Sequence, residues 1–319
     1  MKHLKLILGF VLATVLASCT KEIEFTGEQS ESRLVVNGLQ QVGQPARLCV
    51  EKSVFFVDSQ KDCRVKDVHV DLYVNGVFKE SLQVQDSMLY ETYQDLQTYE
   101  MAYKLMYAFN YCEGQYLLCE GDELRFEVGS SEFDTATAEV KMPEAPHVIS
   151  FDTVRIEPLY EYGLTVHFAL KLDDPAGSDY YNFRPDDGLA GFYSSDPVFK
   201  DLTDIEDIED VFGESAYYGN GHYNTFSDLL FDGSEYTVSL ENNMSGTVFY
   251  EPFTLEVTRL DAGLYQYIKS YNSYENSDPG SILGMFTEPV QVYSNVKNAI
   301  GVVGAQSQPV IMTIDLTEN

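Results

Sequence analysis

Apolar and polar residues alternate along much of this chain, and the stretch VHVDLYVNG at residues 68–76 shows the pattern most clearly. Every second residue from Val68 to Val74 is apolar, which is typical of a strand with one buried face. Asn75 and Gly76 then supply the two residues that adopt positive φ in a tight hairpin turn. The segment VFKESLQV at 77–84 is predicted to return as the partner strand.

Similar runs predict strands over the rest of the chain. The predicted segments are RLVVNGL (33–39), ARLCVEKSVFFV (46–57), ELRFEV (123–128), TATAEVKM (135–142), ISFDTVRI (149–156), GLTVHFALKL (163–172), YYNFRP (180–185), EYTVSLE (235–241), PFTLEVTRL (252–260), PVQVYSNV (289–296) and PVIMTIDL (309–316). The tyrosine-rich residues 90–111 are predicted to form a long insertion loop or an irregular strand pair. Near-helical spacing of Leu260, Leu264, Ile268 and Tyr271 predicts one helix, with Asp261 as its candidate cap.

Many short strands separated by turn residues favour an all-β fold of two β-sandwich domains over alternating βαβ units. The length of 319 residues and the apolar content of 44% suit two domains with sizeable cores. Pro143 and Pro146 interrupt strand pairing between the halves. We therefore predict an N-terminal domain over residues 33–143 and a larger C-terminal domain, with one short helix, over residues 147–319.

Residues 1–18 have the features of a secretory signal peptide. A basic start precedes an apolar run, Leu6–Ala17, that is shorter than the ~20 helical residues of a bilayer span. The ending LASC at 16–19 resembles the lipobox of bacterial lipoproteins, which implies acylation of Cys19. Two or more acyl chains hold a protein stably on a membrane. Residues 19–32 are polar and are predicted to be a flexible tether.

The net charge of the chain limits the classes of partner that it can bind. The formal net charge is −31, so nucleic acid is a poor partner. The densest acidic run, DLTDIEDIED from Asp201 to Asp210, lacks the ligand spacing of a calcium loop. It is predicted to be a solvated loop or a short amphipathic helix, and cation binding there is left open.

Four cysteines remain after Cys19, namely Cys49, Cys63, Cys112 and Cys119. An even number outside the cytosol is compatible with two disulfides, and pairing Cys49 with Cys63 and Cys112 with Cys119 closes the shortest loops. The alternative is free buried thiols. The sequence has no Cys-x-x-Cys spacing, which disfavours a zinc or thioredoxin-like site.

No pattern in the sequence predicts catalysis. The histidines lie too far apart for a zinc motif, and no GxSxG, Walker or dinucleotide-binding pattern occurs. We therefore predict no catalytic residues, no metal and no cofactor. The segment YYGNGHYNTF at 217–226 has the composition of an adaptable recognition loop, with Tyr217, Tyr218, His222 and Tyr223 as weak ligand-binding candidates. A plain surface loop is the alternative.

Several individually weak patterns follow one another in order. They are the lipobox followed by KEI (21–23), RLVVNG (33–38), the hairpin at 68–76, DDP (173–175) with Tyr180 and Tyr181, FSDLLFDGSEYTVSL (226–240), YQYIKS (265–270) and EPVQVYSN (288–295) continuing to Gly301. In this order they resemble the Bacteroidetes lipoprotein family called domain of unknown function 4249. The resemblance implies an immunoglobulin- or transthyretin-like N-terminal sandwich, a β-rich C-terminal domain, and genes beside TonB-dependent receptors. It transfers no catalytic residue.

Together these features predict a lipid-anchored, non-enzymatic binding or accessory protein of the outer membrane that works with a TonB-dependent receptor in uptake. Acidic residues soon after Cys19 favour the cell surface over the periplasmic face. The alternative is a fimbrillin-like or adhesive structural subunit, which requires a groove opened by cleavage at a basic residue such as Arg33. A hydrolase has little support, because nothing in the sequence positions a base.

Overall fold

The computed structural model describes residues 31–54, 62–94, 101–159, 163–185, 194, 196–199, 225–245, 252–276 and 290–314. Cys19, the acidic run at 201–210 and the candidate loop residues Tyr217, Tyr218, His222 and Tyr223 lie outside these ranges. The described part consists mainly of strands and contains a single α-helix. The predicted all-β sandwich class with one short helix is therefore confirmed.

Sixteen strands, one turn of 3-10 helix (Pro197–Phe199) and one α-helix follow one another in the described residues. The strands of the first half are β1 (Leu34–Gln41), β2 (Pro45–Lys52), β3 (His69–Val74), β4 (Val77–Ser81), β5 (Gln83–Gln94), β6 (Met101–Leu117), β7 (Glu123–Gly129) and β8 (Ala136–Lys141). The second half contains β9 (Val148–Leu159), β10 (Gly163–Asp173), β11 (Tyr180–Pro185), β12 (Thr225–Ser227), β13 (Glu235–Ser245), β14 (Phe253–Leu260), α1 (Ala262–Asn276), β15 (Val303–Gln306) and β16 (Val310–Ile314).

The strands form three sheets. The largest has nine strands in the order β12-β11-β14-β15-β1-β2-β6-β5, with β16 also paired to β14. The second sheet has the order β4-β3-β7-β8, and the third has the order β13-β10-β9. One continuous sheet therefore runs through both halves of the chain, and each smaller sheet belongs to one half.

Two hydrophobic cores lie along the large sheet. The first core packs Val36 of β1 and Phe126 of β7, both fully buried, and it also takes Val303 of β15. The second core packs Phe168 of β10 with Val257 of β14. Residues 296–305 thus return to the first core after the chain has built the second one. The predicted domain boundary at 143–147 stays a prediction, since β15 joins both halves in one sheet.

The junction of the two halves is the parallel pairing of β15 with β1. Gly38 pairs with Val303, and the register continues to Gln41 opposite Gln306. Just before β15, Gly301 has a φ of 122°, and a Cβ added there would lie 2.1 Å from the carbonyl oxygen of Val36. Because only glycine fits this approach, residue 301 fixes how closely β15 lies against β1.

The β3–β4 turn and the start of α1 agree with the sequence predictions. Asn75 and Gly76 have φ values of 52° and 77°, as a tight hairpin turn requires. At the helix, Asp261 accepts hydrogen bonds from the backbone N–H groups of Gly263 at 2.7 Å and Leu264 at 3.3 Å. Asp261 is therefore the N-cap of α1, which confirms its predicted role.

Other details differ from the predictions or sharpen them. Residues 290–296 were predicted to form a strand but are irregular. Hydrogen bonds that involve side chains take the place of pairing with another strand. Asn295 uses its amide to bind both the N–H and the C=O of Val303 at 2.9 and 2.8 Å. The tyrosine-rich residues 90–94 and 101–111 belong to the long β5–β6 hairpin, so the strand-pair alternative is correct there.

Candidate functional site

Three aspartates meet where the loop after β10 faces the turn after β12. Carboxylate oxygens of Asp174, Asp228 and Asp232 all lie within 4.8 Å of one another. Asp174 and Asp228 are each only 4% exposed, although burying a carboxylate is costly unless it is hydrogen-bonded. These three residues are called the aspartate cluster below.

Hydrogen-bond donors hold the aspartate cluster in place. The hydroxyl of the buried Tyr181 donates to one oxygen of Asp174, and the N–H of Gly233 donates to the other oxygen at 2.9 Å. These two hydrogen bonds tie Asp174 to β11, which contains Tyr181, and to the turn after β12, which contains Gly233. Tyr181 also stacks on Phe226 with ring centroids 5.3 Å apart, which places the cluster against the second core.

One oxygen of Asp228 and one oxygen of Asp232 accept hydrogen bonds from backbone groups of the loop after β10. The N–H of Asp179 donates to Asp228 at 2.9 Å, and the N–H of Gly177 donates to Asp232 at 2.8 Å. The guanidinium of Arg259, only 12% exposed, forms an ion pair with Asp179. These contacts fix the loop across three strands of the large sheet.

The proximity of the carboxylates changes their proton affinity. Burial raises the pKa of Asp228 to about 6, and the negative charges of Asp174 and Asp232 add to this effect. Burial and the hydrogen bond to Asp174 also raise the pKa of Tyr181 above its ordinary value, so this phenol stays protonated as a donor. The cluster can therefore gain a proton near neutral pH.

The chemistry available to the aspartate cluster is that of close carboxylate oxygens. Such oxygens are the ligands that hard divalent cations prefer. Both oxygens of Asp174 already accept hydrogen bonds from Tyr181 and Gly233. The geometry supports a role in fixing the two loops more directly than a role in holding an ion.

Replacing Asp228 with asparagine is expected to stabilise the protein at pH 7.5 by a few degrees in Tm. The folded-state pKa of Asp228, about 6, lies above its ordinary value of 3.8, so stability is lost as the pH rises through the folded pKa. The asparagine keeps an acceptor for the N–H of Asp179. The Tm gain of Asp228→Asn over the wild type should shrink as the pH falls towards 4, where the wild-type carboxyl is protonated. Thermal unfolding across this range measures the difference.

Asp71→Asn is the matched control for this titration, because Asp71 is a half-buried strand residue whose carboxylate accepts the hydroxyl of Ser81. This variant measures the effect of an aspartate-to-asparagine change outside the aspartate cluster. If the Tm difference between Asp228→Asn and the wild type stays constant with pH, the pKa of Asp228 is not raised as described. An increase in wild-type Tm on adding Ca²⁺, absent in Asp228→Asn, would show that the cluster holds an ion.

A shallow groove lies between α1 and residues 291–294. Its volume is about 530 Å³, and its walls include Tyr265, Lys269, Gln291 and Tyr293. The ring of Tyr265 stacks on Tyr180 with centroids 4.5 Å apart. This volume falls within the range of small-molecule sites, and the walls combine aromatic rings with uncharged polar groups and one lysine.

The groove is fixed to the rest of the second half by side-chain contacts. The Nζ of Lys269 donates to the carbonyl of Thr225 at 3.2 Å and lies 5.5 Å from the ring centroid of Tyr265. Ser270 donates its hydroxyl to the carbonyl of Tyr267 and accepts the N–H of Tyr293 at 2.8 Å. Ser270 therefore holds residues 291–294 against α1, which fixes the shape of the groove.

The sequence did not predict either feature as a site. Asp174, Asp228 and Asp232 lie in DDP and FSDLLFDG, which were noted only for the family resemblance. Tyr180 of β11 stacks on the groove while the adjacent Tyr181 binds the cluster. The adjacent tyrosines were therefore a sequence signal for two separate features, because neighbouring strand residues point to opposite faces of a sheet.

The four described cysteines are free thiols, so neither predicted disulfide is formed in the structure. Burial and the nearby charge of Glu51 raise the pKa of both Cys49 and Cys63. Burial raises the pKa of Cys112 to about 12, whereas Cys119 is exposed after β6. Since the thiolate is the reactive form, Cys49, Cys63 and Cys112 are poorly reactive at neutral pH.

In the part of the chain that the structure describes, no helix is both long and apolar enough to cross a membrane. A comparison with protein families matches residues 20–310 to the model described as Domain of unknown function (DUF4249). A search of curated proteins found no match. The matched range includes the aspartate cluster, the groove and the β15–β1 junction, and it covers most of the 319 residues. The chain therefore belongs to the DUF4249 family, as its ordered sequence patterns predicted.

Proposed function

We propose that this chain is a lipid-anchored protein of the bacterial outer membrane that acts as a non-enzymatic binding or accessory component of uptake through a TonB-dependent receptor. The observation that carries the proposal is the LASC sequence at 16–19, which follows a basic start and a short apolar run. Acylation of Cys19 would hold the protein on a membrane without a spanning helix.

The fold supports an anchor at this end of the chain. The strand β1 has β2 on one side and β15 on the other, so the first strand after the tether is firmly held. The fourteen residues 20–33 between Cys19 and β1 reach at most ~50 Å when fully extended. An acyl group at Cys19 would keep the folded body close to the bilayer while allowing it to reorient.

The second half supports a binding role. The groove beside α1 offers tyrosine rings and uncharged polar side chains, which suit a small polar ligand. Its Ser270 hydroxyl is held by two backbone groups and is not poised for nucleophilic attack. The net charge of −31 opposes an anionic ligand, and Lys269 in the groove wall opposes a cationic one, so an uncharged ligand fits best.

The fimbrillin-like alternative gains no support from the position of β1. Cleavage after Arg33 would leave β1 in the sheet, since β1 begins at Leu34 and pairs with strands on both sides. A strand-accepting groove requires removal of a paired strand. Ladders resistant to SDS on unheated gels would nevertheless support the structural-subunit alternative.

Replacing Cys19 with serine is expected to abolish lipidation and release the protein from the membrane fraction. Cells grown with an alkyne analogue of palmitate should label the wild type and not Cys19→Ser, because serine lacks the thiol that accepts the lipid. Labelling and fractionation of the same cultures measure both effects. The processed mass of the wild type should begin at residue 19.

Cys119→Ser is the matched control, because Cys119 is an exposed thiol elsewhere in the chain. It should be labelled and fractionate as the wild type does. Label on Cys19→Ser, or an unchanged membrane fraction, would contradict the proposal. Non-reducing mass spectrometry of the same samples tests whether the oxidising envelope pairs Cys49 with Cys63 and Cys112 with Cys119.

A further inference from the structure

We infer that the outer edge of β5 binds an extended, uncharged or basic segment of a partner protein, which adds a strand to the large sheet. The inference rests on the proposed function, because the partner in that setting is the TonB-dependent receptor. It adds to that function the surface through which the contact is made.

The strand β5 is long and lies at the end of the large sheet. It pairs with β6 from Gln83 opposite Glu113 to Gln94 opposite Met101, while β2 occupies the other side of β6. In the described residues no strand pairs with the outer edge of β5. Its backbone N–H and C=O groups on that side form a template for another strand.

The other sheet edges in the described residues are short, interrupted or covered. The strands β4, β8, β12 and β16 have five, six, three and five residues. The twelve-residue β9 contains Arg155 and Pro158, and its pairing with β10 shifts register twice. The edge of β13 is bound by Ser194 and Asp196 at Ser239. These are the usual protections against edge pairing.

The edge of β5 has fewer of these protections, since it is long and its pairing with β6 shifts register only once, between Leu89 and Tyr90. Its sequence, QVQDSMLYETYQ, has no proline, lysine or arginine. Four apolar or aromatic side chains are between 38% and 50% exposed, namely Val84, Met88, Leu89 and Tyr90. A long exposed strand with apolar side chains and no basic residue is expected either to aggregate or to bind a partner.

The edge is also held in a fixed position before any partner binds. Arg64 donates to Asp62 and to Asp86 of β5, each at 2.7 Å, and thereby links β5 to the segment that follows β2. These hydrogen bonds from Arg64 lower the pKa of Asp62 to about 2. Asn110 of β6 accepts the N–H of Val65 at 2.8 Å. A strand ordered in advance reduces the entropy lost on docking.

The net charge of the protein indicates which kind of segment binds the outer edge of β5. Two copies with a net charge of −31 each repel one another, which disfavours pairing of β5 with a second copy. An uncharged or basic segment meets no such repulsion, and electrostatic attraction would speed its association. The partner segment should carry apolar side chains on both of its faces where it passes Met88 and Leu89, because these two exposed side chains lie on opposite faces of β5.

A photo-crosslinking amino acid placed at Tyr90 tests the inference in intact cells that express the tagged, full-length protein. We expect Tyr90 to capture an outer-membrane receptor, recognised by its mass, at least fivefold more efficiently than the same probe at the exposed Ile311 or Leu230. Adding Met88→Lys to the Tyr90 probe should reduce capture at least fivefold. Ile311→Lys is its control and should leave capture unchanged, and equal Tm values should show that both variants fold.

The outcomes separate this inference from the proposed function. Capture of the receptor from Ile311 or Leu230 and not from Tyr90 would overturn the inference and leave the function intact. Capture from none of the three sites would overturn both. Capture of a second copy of this chain from Tyr90 would overturn the inference and assign the edge to self-association.

Discussion

Replacing Gly301 with alanine is expected to lower the free energy of unfolding by about 4 kcal/mol. The φ of 122° is strained for any residue with a Cβ, and the added Cβ would lie 2.1 Å from the oxygen of Val36 and 2.8 Å from Oδ1 of Asn37. The contact with Val36 is with backbone, so β15 must move away from β1 to relieve it. Its hydrogen bonds to β1 would then weaken together.

Urea unfolding of the purified protein, followed by circular dichroism, measures this loss. Gly43→Ala is the matched control, because Gly43 has a φ of 82° but an added Cβ there meets no atom within 4 Å. The control should lose only the conformational part, about 1 kcal/mol. Equal losses at the two positions would show that the contact between β15 and β1 is looser than described.

Replacing Asp261 with alanine is expected to cost about 3 kcal/mol, the second-largest effect. Its carboxylate caps α1 through Gly263 and Leu264, and it also accepts the N–H of Ala305 at 2.6 Å. The backbone N–H of Asp261 donates to the carbonyl of Ala305 at 2.9 Å. Alanine would remove a helix cap and leave the buried N–H of Ala305 without this acceptor.

Thermal unfolding of Asp261→Ala, with Asp261→Asn beside it, measures the cost of losing the cap. Asparagine keeps one acceptor oxygen, so its loss should be about half as large. Asp71→Ala, which removes a carboxylate bonded to Ser81 on a half-buried strand, should change stability by under ~1 kcal/mol. A small loss for Asp261→Ala would mean that α1 is not tied to β15 through this residue.

The local structure was largely predictable because it depends on neighbouring residues. The alternation in β3 and the Asn75-Gly76 pair predicted the first hairpin, and Asp261 predicted the start of α1. Strand β15 was missed, because its four residues are too few to show a period. Residues 289–296 were predicted as a strand from their alternation, but Asn295 satisfies the backbone of Val303 with its side chain.

The candidate sites were not predictable because they depend on contacts between distant residues. Asp174 and Asp228 are 54 positions apart, and only the fold brings their carboxylates together. Nothing in the sequence near Asp228 indicates a pKa of about 6, since that value depends on burial and on Asp174. The exposed edge of β5 likewise follows from the sheet order, which a single sequence does not give.

The β15–β1 junction also has a consequence for biogenesis. Leu34 and Ile300 are joined by a backbone hydrogen bond of 3.0 Å although 266 positions separate them. The large sheet can be completed only after that late segment has been synthesised, so β1 waits for its parallel partner until most of the chain exists. A nascent chain cut short before residue 300 would leave one side of β1 unpaired and open to proteolysis or to pairing with another chain.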